Sequence, residues 1–246
     1  MRQTLRAAIL AFAVLGAISA CQREASHEAP PVDTARQDAD FGVRLALLEG
    51  HLTVGRELLE AGQTENALPH FGHPVRELYS DMLPVIATRG GQQFDRDLVA
   101  LEGLATQGRT PAFAPAYDAA MAKVRAARAL IAADRLNSDA FTLQLIADVA
   151  TAAAQEYRNA IVAGGVGSLV EYHDARGFVF YISDLLAAHR GDDARLMQVA
   201  ALVAELKTYV EPLNPPDPIR ATDAEFEAKA AAIRAVAAGP APAGAP

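Results

Sequence analysis

Three of the chain's six histidines fall close together, as His51, His70 and His73, and a carboxylate, Glu77, follows one helical turn later. Imidazole and carboxylate are the donors that suit first-row transition metals such as iron, zinc or copper, more than calcium or magnesium. His73 and Glu77 are four apart, so on a helix they share one side of a turn. His70 lies just before them on the incoming connection. His51 is in register with Leu48, Gly55, Leu58 and Leu59, which aims it toward the core side of its own helix. The alternative assignment is structural: His73 as a helix cap, His70 on the surface and His51 as a core residue.

A second group lies further along the chain. Glu156 shares a helical face with Leu145, Val149 and Ala152, and Glu171, Asp174, Phe178, Ile182 and Leu185 form one stripe. A carboxylate on an apolar stripe must be paired, protonated or bound to a cation, because burying a bare charge is costly. Arg158 and Arg176 are the partners at hand for Glu156 and Glu171 if these carboxylates are structural. Other chemistry is missing. There is no His-Glu-x-x-His, no Gly-x-Ser-x-Gly, and Gly164-Gly165-Val166-Gly167 lacks the Lys and the preceding strand of a phosphate loop. An enzyme is therefore the less favoured reading.

The elements that must position these residues are helical. Hydrophobic residues make up 51% of the chain, Trp is absent, and aromatics are 6%. Leu and Ala recur at three- and four-residue steps over 43–61, 74–88, 94–107, 115–134, 138–162, 168–190, 193–209 and 223–238. Gly62 reads as a helix stop, Pro74 as a helix start, and Pro84 as a kink. Ser138 reads as an N-cap, and Thr222 to Glu225 as a capping box. The expectation is an all-α fold: an antiparallel helical bundle over 41–238, in one piece or two packed halves. In such a bundle helix 43–61 runs back against helix 74–88 and brings His51 toward His73 and Glu77.

The ends carry targeting information. Arg2 and Arg6 precede an apolar run, Ala7 to Ala17, too short to span a bilayer. Ile18-Ser19-Ala20-Cys21 then resembles the lipobox of bacterial lipoproteins. The resemblance implies a signal peptide over 1–20 and lipidation of Cys21. As Cys21 is the sole cysteine, thiolate is unavailable to any site along the chain, and internal disulfides are excluded. Gln22, in place of Asp, implies the outer membrane by the same resemblance. Residues 21–40 read as a flexible tether and 239–246 as a disordered tail. The net charge of −8 and the lack of a basic run exclude nucleic acid as a partner. The membrane, through the lipid, and envelope transport or receptor proteins are the partners expected.

An exported helical protein with His and Glu near a helix start also resembles the imelysin-like periplasmic proteins and their iron-uptake relatives. The residues concerned are Phe71-Gly72-His73-Pro74-Val75-Arg76-Glu77, against the family's Gly-x-His-x-x-Glu. The resemblance implies a helical bundle tied to iron acquisition. The sequence thus points to a transition metal, iron favoured with zinc or copper as alternatives, held by members of the set His51, His70, His73, Glu77, Glu156, Glu171 and Asp174. The competing expectation is a helical adaptor that binds other envelope proteins, with structural histidines.

Overall fold

The computed structural model describes residues 33–240; the signal segment, Cys21 and residues 241–246 lie outside it. The protein is all-α apart from one two-stranded hairpin. Helix α1 spans Thr34–Glu60 and starts nine residues before the periodic stretch 43–61. The reason is Asp33, whose carboxylate accepts from the N–H groups of Ala35 (3.0 Å) and Arg36 (3.1 Å) and so caps a polar first turn. Gly62, at φ 76°, lets the chain reverse, with Gln63 N–H closing onto the Leu58 carbonyl at 2.8 Å.

Helix α2, Thr64–His73, folds back on α1, and a π-helical stretch, Pro74–Tyr79, joins it to α3, Ser80–Thr88. Periodicity predicts the partner helix at 74–88. The helix facing α1 instead lies before Pro74 and carries His70 and His73 in its last turn. Pro74 has no N–H for the carbonyl of His70, so the α-helical ladder opens there into the wider π spacing. Helices α4 (Asp95–Ala105) and α5 (Phe113–Ala127) pack in sequence behind α2.

The remainder is more regular. After a short α6, Ala133–Leu136, helix α7 spans Asp139–Ala160 and is capped by Ser138, whose hydroxyl accepts from Phe141 N–H at 3.2 Å. A hairpin follows, β1 Ile161–Val162 against β2 Gly165–Val166, turned by Ala163 (φ 52°) and Gly164 (φ 81°). Helices α8 (Leu169–Ala188), α9 (Ala194–Val210) and α10 (Asp223–Ala238) complete a ring in which α7 meets α8, α8 meets α9, α9 meets α10, and α10 meets α7. Thr222 and Glu225 form the expected capping box at α10. Inside the ring Tyr157 stacks on Phe226 at 4.3 Å and donates its hydroxyl to the Ala221 carbonyl at 2.7 Å. His189 ties the end of α8 to the start of α7, with its Nε2 2.5 Å from Asp139 Oδ1. Helix α1 lies across this ring against α7 and α8, and the described residues from Asp33 onward form one compact unit. Among the described residues no helix is long and apolar enough to cross a membrane.

Candidate metal centre

Among the described residues three acidic side chains are buried, and their partners differ. Asp38 is met by Arg89 and, at 3.1 Å, by Arg135. Glu49 is met by Arg128 and, at 3.3 Å, by Arg125. Asp174 is met by imidazoles: its Oδ1 is 2.8 Å from His70 Nδ1 and 3.2 Å from His51 Nε2, and its Oδ2 is 3.9 Å from His73 Nδ1. Arg–carboxylate pairs are permanent and self-sufficient. Imidazoles around a carboxylate are a donor set that exchanges protons for a metal.

The site exists because α1 and α8 come unusually close. At Gly177 an added Cβ would lie 2.4 Å from the Gly50 carbonyl oxygen, and at Gly50 one would lie 2.7 Å from Phe178. Only glycine at both positions allows this backbone approach, and His51 and Asp174 sit immediately beside it. Gly55 serves α2 in the same way, since a Cβ there would stand 3.1 Å from His70 Cβ. Periodicity makes Gly55 one position of an apolar stripe and assigns Gly50 and Gly177 no role. The available signal was glycine inside long helices, one residue from His51 and three from Asp174.

Each ring has a defined orientation. His51 Nδ1–H donates to the Leu47 carbonyl at 2.7 Å, which turns Nε2 toward Asp174. A ligating histidine is held in this way, its second nitrogen donating to a carbonyl. The edge of the His51 ring rests on Phe178, centroids 4.9 Å apart. His70 Nδ1–H donates to Asp174, and its Nε2 is buried without a partner among the described residues. His173, which the sequence reading left unassigned, donates Nε2–H to the Leu213 carbonyl at 2.9 Å and leaves Nδ1 buried and unpartnered.

The electrostatics follow. Burial works against a charged His51, but the charge and hydrogen bond of Asp174 outweigh it and raise its pKa. Burial pushes the Asp174 carboxyl up, yet His51 and the hydrogen bonds from His51 and His70 hold it below the usual carboxylate range. Burial dominates at His70, which is lowered despite Asp174, and at His173, which falls to about 4. The centre thus pairs one cation-prone imidazole with a firmly ionised carboxylate, flanked by two neutral rings.

Of the seven residues singled out from the sequence, His51, His73 and Asp174 offer donor atoms that all lie within 4.8 Å of one another. His70 touches the same carboxylate from behind. The two sequence clusters are therefore one place in the fold. Glu77 is exposed on the π-helical stretch and stands outside the donor group. Glu156 and Glu171 are half-buried and also outside it. Glu171 accepts from the Ser168 hydroxyl, and burial together with the charge of Asp174 raises the pKa of Glu156. The arginines expected for them are engaged elsewhere: Arg176 pairs with Glu57, and Arg158 lies 3.8 Å from Glu227.

The spacing fits one ion. Two donors held at about 2.1 Å by one metal lie about 3.0 Å apart at a right angle and about 3.4 Å at the tetrahedral angle. His51 Nε2 and Asp174 Oδ1, at 3.2 Å, are in that range; His73 faces the other carboxylate oxygen at 3.9 Å, and as the three donors lie within 4.8 Å of one another His73 must close by up to about 1.4 Å.

Comparison with known proteins adds a family likeness. Residues 132–243, which carry α6 to α10 and hence Asp174 and His173, match the family described as "Iron permease-associated 4-helix bundle domain". Neither the curated proteins nor the solved structures yield a match.

Proposed function

We propose that this protein is an envelope lipoprotein, anchored through Cys21, that binds a transition-metal ion at His51, His73 and Asp174 and serves metal uptake or homeostasis. The observation that carries the reading is the contrast among buried acids: among the described residues Asp38 and Glu49 are answered by arginine and Asp174 by imidazole alone. The likeness of residues 132–243 to an iron permease-associated bundle favours iron as cargo and an envelope or membrane-related setting. The lipobox favours the periplasmic face of the outer membrane, with a transport or receptor protein as partner. His51 and His73 supply neutral nitrogen, Asp174 supplies charge, and His70 holds the carboxylate in place.

The test is metal analysis of the purified mature protein with thermal unfolding across added Fe(II), Zn(II) and Cu(II). A ligand that binds only the native state raises Tm, by about 2.7 kcal/mol of stability at a hundredfold excess over Kd. A second reading, a helical adaptor with structural histidines, draws on the 3.2 Å contact by which His51 already compensates Asp174. It expects a flat Tm and a stoichiometric protein partner that persists in chelator.

A further inference from the structure

The donor set, its burial and its one open side bear on which oxidation state of iron the site takes. This step rests on the metal-binding reading above. Two imidazoles and one carboxylate are the set that holds ferrous iron while leaving coordination positions free. Ferric iron is harder and needs several anionic oxygens, phenolate or carboxylate, to offset its charge. At Asp174 one carboxylate is available within the donor group. A divalent ion there leaves one charge to be solvated and a trivalent ion leaves two, in a place where Asp174 and His51 are almost fully buried.

The oxygens that would answer a trivalent ion are committed elsewhere. Tyr157 donates its hydroxyl to the Ala221 carbonyl, and Tyr172, two residues from Asp174, donates to the Pro212 carbonyl at 2.8 Å. Glu156 and Glu171 stand outside the donor group, and Glu171 accepts from the Ser168 hydroxyl.

The open side is also defined. The side chains of His51 and Asp174 are 8% and 6% exposed, His70 is fully enclosed, and His73 is 29% exposed. His73 ends α2 where the backbone widens into the π-helical stretch, a feature that recurs at functional sites. We infer that the site takes ferrous iron in preference to ferric iron, and that its remaining coordination positions face solvent on the His73 side. Such an ion is exchangeable cargo: incoming ligands reach it through the open positions, and His73 is the protein ligand nearest the exit.

The experiment is an anaerobic titration of the mature protein with Fe(II) ammonium sulfate, and a separate titration with Fe(III) nitrilotriacetate, followed by nitric oxide on the Fe(II) form. The expected result is one Fe(II) per chain and retention of Fe(II) over Fe(III) by at least a hundredfold. The nitrosyl should show the S = 3/2 paramagnetic resonance signal, since nitric oxide needs a vacant position on the metal. Asp174→Asn and His73→Ala should lose that signal while keeping the helical circular dichroism of the wild type. Equal or tighter retention of Fe(III), or bound Fe(II) that gives no nitrosyl, overturns the inference. If Co(II) and Zn(II) bind at the same time, the metal-binding reading survives that failure. If no metal binds at all, both fall together.

Discussion

The two regions that meet at Asp174 are built differently. From α7 onward the chain is a regular ring of four helices, with caps at Ser138 and Thr222, and this is the region that resembles an iron permease-associated bundle. From α1 to α5 it is irregular, with Pro69 inside α2, Pro74 opening a π-helical stretch and Pro84 inside α3. The regular region contributes one candidate ligand, Asp174, and the neutral ring of His173. The irregular region contributes His51, His70 and His73. The family likeness therefore covers the scaffold and the carboxylate but not the imidazoles. Whatever that bundle does elsewhere, the donor set here is completed by helices outside the matched residues.

The comparison is most easily broken with pH, because His51 of the irregular region and His173 of the regular one are shifted in opposite directions, while His70 shifts the same way as His173. His173 is lowered to about 4, so the unfolded chain binds more protons than the folded one between pH 6.5 and 4. Its contribution to stability is full above pH 6.5 and is lost as pH falls toward 4, by roughly 3 kcal/mol. His51 is raised, so its contribution is full below pH 6.5 and is lost as pH rises through its folded value. Urea denaturation of the metal-free protein across pH 4 to 9 checks both limbs. His173→Asn should flatten the acid limb and His51→Asn the alkaline one. If both variants flatten the same limb, the opposed assignment is wrong.

The contact between the regions comes next in size. Gly177→Ala places a methyl against the Gly50 carbonyl and forces α1 off α8. The expected cost is about 1–3 kcal/mol in chemical denaturation, with a parallel loss of metal affinity because His51 retreats from Asp174. Gly103, where a Cβ meets nothing, is the control: Gly103→Ala should leave affinity unchanged.

The buried ring behind the carboxylate separates positioning from ligation. His70→Gln should weaken metal binding by about 10- to 100-fold, the range typical of groups that orient a ligand, without changing stoichiometry. Loss of the bound ion altogether would make His70 a ligand itself. The smallest effect is expected at Glu77. Its side chain is exposed and outside the donor group, so Glu77→Gln should change stability by less than about 0.5 kcal/mol and leave affinity unaltered.

What could be read from the sequence divides along the same line. The helices of the regular region are marked by local signals, Ser138, Gly164 and Thr222, and those signals act within a few residues of themselves. Around α2 the signals compete: Pro74 is as good a helix start as it is a break in a helix already under way, and only packing against α1 decides it. The candidate site was legible in residue type but not in membership. His51, His70 and His73 read as one cluster and Glu171 with Asp174 as another, because periodicity reports which face a side chain takes, not which distant helix it meets. The Gly50–Gly177 approach that fuses them is a long-range contact; a glycine inside each helix marks that something comes close there, but not which helix it is.

If the two regions share one ion, a double-mutant cycle in metal affinity reveals it. Zn(II) affinity would be measured by competition titration for the wild type, His51→Ala, Asp174→Asn and the double variant, with circular dichroism confirming the fold of each. If both residues hold the same ion, each single substitution costs at least about 100-fold and the double costs little more than either alone, because the interactions are coupled. Independent, additive losses, or a wild type that takes up no Zn(II), would contradict the account.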